Sequence, residues 1–153
     1  MQLVDQPRSP NCLFCRILAG EVPAHIVYED EQTFVFLDHR PLFPGHCLVV
    51  PQGHYVTLPE LPDELIGPLF SVVHLLARAV PEAMGAEGSF VAVNNRVSQS
   101  VPHLHVHVVP RRRGDGLRGF FWPRQRYASE EEMARTRDAI RAAVERARAS
   151  KES

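Results

Sequence analysis

The sequence predicts an α+β domain: five short strands, mostly antiparallel, with two main helices. Three observations predict it. β-branched, aromatic and other apolar residues cluster in five short runs bounded by turn-forming residues. In two longer stretches apolar residues recur at helical spacing instead. Thirteen prolines among 153 residues divide the chain into short elements. Hydrophobic residues at 44% and charged residues at 23% are ordinary for a packed domain and exclude wholesale disorder. Seventeen Lys+Arg against eighteen Asp+Glu leave a formal charge of −1, which excludes polyanion binding driven by net field alone.

Residues 1–11 are polar with two prolines and are expected as a loose arm. Ile26–Glu29 and Thr33–Leu37 read as a hairpin around Asp30-Glu31-Gln32. After the interruption at Pro41–Gly45, His46–Val50 reads as a third strand closed by Pro51. Leu65, Ile66, Leu69, Val72, Val73, Leu76 and Val80 predict an amphipathic helix over residues 63–80. Pro68 is tolerable near its start, and Gly85 and Gly88 mark the exit. Phe90–Val93 and His103–Val109 read as two more strands, joined by the polar loop Asn94–Pro102. Ser129 and Glu132 have capping-box spacing, and Met133, Ile140, Val144 and Ala147 carry a helical stripe towards Lys151. The expected organisation is an arm over 1–11, a domain over 12–127 and a C-terminal helix over 128–153 packed on it. Three cysteines, Cys12, Cys15 and Cys47, do not make a secreted disulfide framework. With no run of about 18 apolar residues and no apolar leader, no membrane partner is expected and the expected compartment is the cytoplasm.

The most informative stretch is His103-Leu104-His105-Val106-His107-Val108-Val109. In a strand, alternate side chains point to opposite faces, so Leu104, Val106 and Val108 would bury on one side and the three histidines would line the other. Imidazole has poor β preference and changes charge near neutral pH, so three at period two demand a task. Metal ligation is one; the other is nucleophilic attack by a neutral imidazole nitrogen on phosphorus. The preceding Gln99 and Ser100 supply donors suited to phosphate oxygens, which favours the second.

HLHVHVV fits the pattern His-φ-His-φ-His-φ-φ, and SQSVPHLHVHVVPR extends it on both sides. With CLFCRILAGEVPAHIVYEDE, FVFLDHRP and GHCLVVPQGH, the chain resembles the histidine triad (HIT) superfamily over residues 12–113. That resemblance implies a nucleotide hydrolase or transferase acting at an α-phosphate, as a homodimer whose five-stranded sheets join into one. It implies His105 as the nucleophile that forms a nucleotidyl-histidine, with His107 holding the phosphate and assisting the leaving group. Gln99 and Ser100 match the phosphate-contacting pair, and Asp38 the acid that binds the ribose hydroxyls. Phe14, Ile17, Val22, Phe36 and Leu37 match the apolar nucleoside pocket, His39 borders it, and Asn95 adds a loop contact. The loop NNRVSQSVPH is shorter than the common family form and carries Ser98 where Gly usually precedes the Gln. Because hexose-phosphate uridylyltransferases of the family carry Gln at the place of His107, hydrolysis is favoured over sugar-nucleotide transfer. The implied reaction releases AMP from dinucleoside polyphosphates or adenosine 5′-phosphoramidates. The alternatives are aprataxin-like deadenylation of nucleic-acid ends, and a non-catalytic nucleotide-binding partner protein.

Cys12-x-x-Cys15 by itself reads as a redox pair, a metal half-site or two buried thiols. His54 and His103 can complete a tetrahedral Cys₂His₂ set, and several bacterial HIT proteins carry structural zinc on matching ligands, so a structural zinc and no organic cofactor are implied. Cys47 is expected as buried packing, and no function is assigned to His25, His46 or His74. Arg111, Arg112, Arg113, Arg118, Arg124 and Arg126, interleaved with Phe120, Phe121 and Trp122, form the one segment suited to polyphosphate. The expectation is that these arginines meet distal phosphates while Trp122 covers the site.

Overall fold

In the computed structural model, residues 6–117 and 124–152 are described. Contacts divide the chain into two units, residues 1–115 and 116–153. The first holds one antiparallel sheet built from β1 (Ile26–Glu29), β2 (Thr33–Leu37), β3 (Cys47–Pro51), β4 (Gly88–Ala92) and β5 (Val106–Arg111), in the order β1-β2-β3-β5-β4. Two helices accompany it, α1 (Leu13–Leu18) and α2 (Asp63–Met84). The hairpin forms as expected, with a bulge between Ile26 and Tyr28. Asp30 closes the turn by accepting the N–H groups of Gln32 and Thr33 at 2.9 and 2.8 Å.

β2 and β3 are buried on both faces, which explains why TFVFL and CLVVP read as continuous apolar runs rather than alternating ones. On one face Val35, Val49, Val106, Val108 and Leu104 meet Leu65, Leu69, Val72, Val73, Leu76 and Val80 of α2. On the other, Phe34, Phe36, Leu48 and Val50 meet Cys12, Phe14 and Cys15. α2 is long and apolar enough by length and composition to cross a membrane, yet Leu65, Leu69, Val72, Val73, Leu76 and Val80 pack on the sheet while Ile66 and Leu75 are exposed. The helix runs four residues beyond the expected end and carries Pro81 within its last turn, at the loss of the bond an N–H there would make. Gly85, at φ 60° and ψ 35°, then ends it in the left-handed conformation, and the N–H of Ala86 reaches the Pro81 carbonyl at 2.9 Å.

Two expectations are corrected. The last strand begins at Val106 rather than His103. The backbone before it is turned, with His103 N–H on the Val101 carbonyl at 2.8 Å and Leu104 N–H on the Tyr55 carbonyl at 2.7 Å. It then continues past Pro110, because β3 pairs with β5 only as far as Val108 and Pro110 has no β3 bond to lose. Of the loose arm expected over residues 1–11, residues 1–5 lie outside the described residues, and residues 6–11 are hydrogen-bonded to the domain: Gln6 Nε2 donates to the Glu31 carbonyl at 2.9 Å and Arg8 to Gln52 Oε1 at 2.9 Å. The Pro7 carbonyl also accepts the N–H of His54. α1 and the short 3₁₀ turn Leu58–Glu60 carry no periodicity that a sequence reading could use.

In the second unit, α3 spans Glu130–Glu152. Its start follows the capping-box reading, with the N–H of Glu132 donated to Ser129 Oγ at 3.1 Å.

Leu69 is 1% exposed at the centre of the α2–sheet layer. Leu69→Ala should lower the unfolding free energy by about 2–5 kcal/mol, read as a shifted urea midpoint at unchanged slope. A loss below about 1 kcal/mol would mean that this layer is not the core.

Candidate active site and metal-ligand cluster

The sheet registers Phe36 opposite Leu48, Leu48 opposite His107, and His107 opposite Ala92. Directly opposed residues share a face, so this row lies on the side away from α2. There a cavity of about 810 Å³ opens, walled by Leu13, Phe14 and Ile17 of α1, by residues 22–25, and by Phe36, Leu37 and Leu48. Its polar lining is His25, Asp38, His39, Ser100, His105 and His107. The mixture is an apolar chamber with a few convergent polar groups, the usual form of a small-molecule site.

The nucleophile expected from the sequence is 4% exposed, yet it lies on the cavity wall. His105 Nδ1 lies 2.7 Å from the carbonyl oxygen of His103. A carbonyl only accepts, so Nδ1 carries the hydrogen and Nε2 of the neutral ring keeps a lone pair. Burial lowers the His105 pKa, offset in part by that carbonyl and by Asp38. The ring is therefore neutral near pH 7, the state in which it can attack.

His107 depends on a residue to which the sequence reading assigned no role. The N–H of Leu42 donates to His46 Nδ1 at 3.1 Å, so the His46 hydrogen sits on Nε2. That Nε2 lies 3.0 Å from His107 Nδ1, which must then accept, placing the His107 hydrogen on Nε2. The chain of assignments thus leaves the His107 Nε2–H as a donor and the His105 Nε2 as an acceptor, with the two rings 4.9 Å apart. Burial pushes His107 down to about 4, with the neighbouring His105 and His46 adding to it. Burial also lowers His46, against the opposing pull of Asp38, whose Oδ2 is 3.7 Å away. Asp38, His46 and His107 bring ligand-type atoms within 4.8 Å of one another. The hydrogen on His46 Nε2 makes that atom a donor to His107 rather than a ligand for a cation.

Ten residues expected at the nucleotide site, Phe14, Ile17, Val22, Phe36, Leu37, Asp38, His39, Ser100, His105 and His107, line this one cavity. Asn95 and Gln99 are not among the lining residues. Gln99 accepts the N–H of Arg96 at 2.8 Å and donates to the Val56 carbonyl at 2.6 Å, while Asn95 Oδ1 accepts the N–H of Leu58 at 2.8 Å. The loop holds Arg96 and Ser98 at φ 70° and 62°, and both amides brace it. The arginine expectation also changes. Arg111 pairs with Asp115 at 2.6 and 3.0 Å, Arg112 reaches the Met84 carbonyl, and Arg113 lies 3.4 Å from Glu87. None of the three lines the cavity. Arg118, Phe120, Phe121 and Trp122 lie outside the described residues.

Beside the cavity, Cys12, Cys15, His54 and His103 place their four ligand atoms within 4.8 Å of one another. Three sulfur–nitrogen separations, Cys12–His103, Cys15–His103 and Cys15–His54, are 3.5 Å. A tetrahedron with Zn–S of about 2.3 Å and Zn–N of about 2.05 Å has an S···N edge of roughly 3.6 Å, so the spacing fits a tetrahedral ion. His103 Nε2 lies 3.1 Å from the Pro51 carbonyl, which places its hydrogen there and leaves the Nδ1 lone pair facing both thiols. Burial pushes His103 down to about 4 and raises the Cys15 thiol, the latter opposed by the Ser9 N–H at 3.4 Å. The four residues can hold a metal. Cys47 stands apart, buried, with its thiol pushed up to about 11.

Residues 19–114 match the HIT domain family. The chain is 38% identical over 109 residues to "Adenylylsulfatase HINT3" of Arabidopsis thaliana, a match spanning 70% of this chain and 55% of that protein. It is 34% identical over 123 residues to "Adenosine 5'-monophosphoramidase HNT1" of Candida albicans, covering 74% and 78%. Among solved structures, SMU.412c from Streptococcus mutans UA159 superposes with a TM-score of 0.82 at 32% identity, covering 94% of this chain and 93% of that one. A Zn-bound histidine triad family protein from Mycobacterium smegmatis gives 0.66 at 38% identity, covering 90% and 97%.

Because His107 is held near 4 in the folded chain against an ordinary 6.5, unfolding takes up a proton between those values. This group's contribution is constant above about pH 6.5, falls by up to about 1.4 kcal/mol per pH unit as pH drops towards 4, and levels off below. Urea unfolding between pH 7.5 and 4.5 should show a shallower slope for His107→Gln than for the wild type. Parallel profiles would mean that the ring takes up its proton at the same pH in the folded and unfolded chain.

Proposed function

The chain belongs to the HIT domain family, and from that premise we propose that it is a nucleotidyl hydrolase. It cleaves at the α-phosphate of dinucleoside polyphosphates or adenosine 5′-phosphoramidates and releases AMP. The observation that carries this reading is the His105 tautomer, with Nδ1–H on the His103 carbonyl and the Nε2 lone pair on a cavity wall. Relatives bearing the names adenylylsulfatase and adenosine 5'-monophosphoramidase support it.

In the proposed reaction the His105 Nε2 lone pair attacks the α-phosphorus in line with the leaving group. The P–N bond to His105 forms as the P–O or P–N bond to the leaving group breaks, and the leaving group keeps that electron pair, a polyphosphate departing as an oxyanion and an amine taking up a proton from solvent. The His107 Nε2–H and the Ser100 hydroxyl donate to the phosphoryl oxygens, where charge builds in the transition state. Water then attacks the same phosphorus and gives up one proton to solvent, the His105–phosphorus bond breaks with its electron pair returning to Nε2, and AMP leaves. The apolar wall of Phe14, Ile17, Val22, Phe36 and Leu37 takes the nucleoside, and Asp38 the ribose hydroxyls. Asp38 Oδ1 already accepts the Arg40 N–H at 2.9 Å, and each carboxylate oxygen has a further lone pair to offer. Asn95 and Gln99 act by holding the loop that presents Ser100.

The metal proposed for Cys12, Cys15, His54 and His103 is zinc, supported by the tetrahedral spacing and by the Zn-bound neighbour. Four protein ligands leave no open position, so its role is structural. A homodimer is proposed in which the five-stranded sheets of two copies join into one, β1 and β4 being the outer strands of each sheet.

Rapid quench with a dinucleoside polyphosphate should trap an AMP-sized mass increment on the peptide bearing His105. His105→Ala should reduce turnover by at least about a thousandfold, as expected for losing the attacking atom, while AMP binding by calorimetry changes little. Wild-type protein that binds AMP without adduct or turnover would establish a binding protein instead.

A further inference from the structure

Two connections run from the four-residue cluster to the cavity. The first passes through His103. Its ring faces both thiols at 3.5 Å and is pinned to the Pro51 carbonyl at 3.1 Å, while its own carbonyl receives the His105 Nδ1–H at 2.7 Å. One residue therefore carries a ligand nitrogen on its side chain and the tautomer-setting oxygen on its backbone, and it is fully buried. The second passes through α1. This helix is six residues long, too short to persist without outside support. Its N-cap is Cys12, whose sulfur accepts the Cys15 N–H at 3.5 Å, so both of its anchors are cluster residues. From that anchored turn Leu13, Phe14 and Ile17 form one wall of the cavity. Phe14 meets the rings of His103 and His105 edge-on, with centroids 5.8 and 5.1 Å away.

We propose that the Cys12–Cys15–His54–His103 cluster is a positioning element of the active site: with a tetrahedral ion bound, it holds both the carbonyl that sets the His105 tautomer and the α1 wall that receives the nucleoside. Metal loading then governs substrate affinity through α1 and attack through His103, although the ion touches neither phosphate nor leaving group. Thiol–imidazole contacts at 3.5 Å are weak hydrogen bonds in the absence of an ion. Four coordinate bonds in their place convert a loose cluster into a rigid one. The proposal rests on His105 as the nucleophile, but two of its readouts need no turnover.

The test compares the full-length protein stripped by a chelator with the same sample reloaded with one equivalent of Zn²⁺, both checked for fold by circular dichroism. Long-range ¹⁵N–¹H correlation spectra report the His105 tautomer, calorimetry reports AMP affinity, and rapid quench reports the rate of adduct formation. In the stripped protein His105 should show mixed tautomers, AMP should bind at least about tenfold more weakly, and adduct formation should slow by a similar factor. Reloading should reverse all three. His54→Ala, which keeps three ligands, should show the same changes if the stripped wild type does not stay folded. His54→Cys, which restores a four-ligand set, should recover them. Folded stripped protein, or folded His54→Ala, with the single tautomer and the AMP affinity of the loaded wild type would overturn the proposal. Failure to take up stoichiometric zinc would overturn it as well. Loss of tautomer order and AMP affinity in protein that never forms an adduct would sustain the positioning claim and reject the hydrolase reading.

Discussion

A neutral imidazole has one attacking nitrogen, and which nitrogen that is depends on where its single hydrogen is held. In this protein the 2.7 Å bond from His105 Nδ1 to the His103 carbonyl makes that choice. Everything else around the cavity bears on it. Burial removes the charge from the ring, the turned backbone at Val101–Leu104 brings the carbonyl into position, and the cluster on the His103 ring holds that backbone from the other side. His107 receives the opposite assignment by a longer route, from the Leu42 N–H through His46. Two histidines two residues apart thus face the cavity in complementary states, one accepting and one donating.

The sheet makes this arrangement possible by keeping two environments apart. Leu104, Val106 and Val108, each at most 1% exposed, belong to the layer under α2. The intervening histidines fall on the face shared by Phe36 and Leu48. A one-residue slip of β5 would drive imidazoles into the α2 core and leucine and valine into the cavity, so the apolar set enforces the register of the polar one. The fold and the chemistry therefore share one constraint: the same alternation that buries the core aims the site.

Much of this was legible beforehand. The hairpin, the third strand and the long helix follow from runs and spacings in the sequence, and their observed limits differ by only a few residues. The HLHVHVV alternation identified the faces of all three histidines even though two of them precede the strand, because turned and extended backbone both kept the side chains alternating here. Cys12, Cys15, His54 and His103 were assembled from family likeness, and the structure brings all four together. Other features were out of reach. His46 occupies a strand entrance where a histidine has no sequence signature, and only the Leu42 N–H and the His107 ring identify it as part of the site. Gln99 and Asn95 have the right chemistry for phosphate, but their amides meet backbone groups of residues 56, 58 and 96. Arg111 and Arg113 lie in a basic run: Asp115, the partner of Arg111, is four residues along, but Glu87 meets Arg113 only once β4 pairs with β5.

By itself, then, the sequence determined which residues alternate, where the two long helices and the hairpin turn lie, and which side chains can attack phosphorus or bind a metal, since periodicity and residue chemistry are local. Tertiary structure alone decided which nitrogen of each histidine carries its hydrogen, which donors are already engaged, and how the cluster meets the cavity. Those outcomes depend on partners up to ninety-one residues away along the chain, and a hydrogen bond exists only where folding has brought both of its ends together.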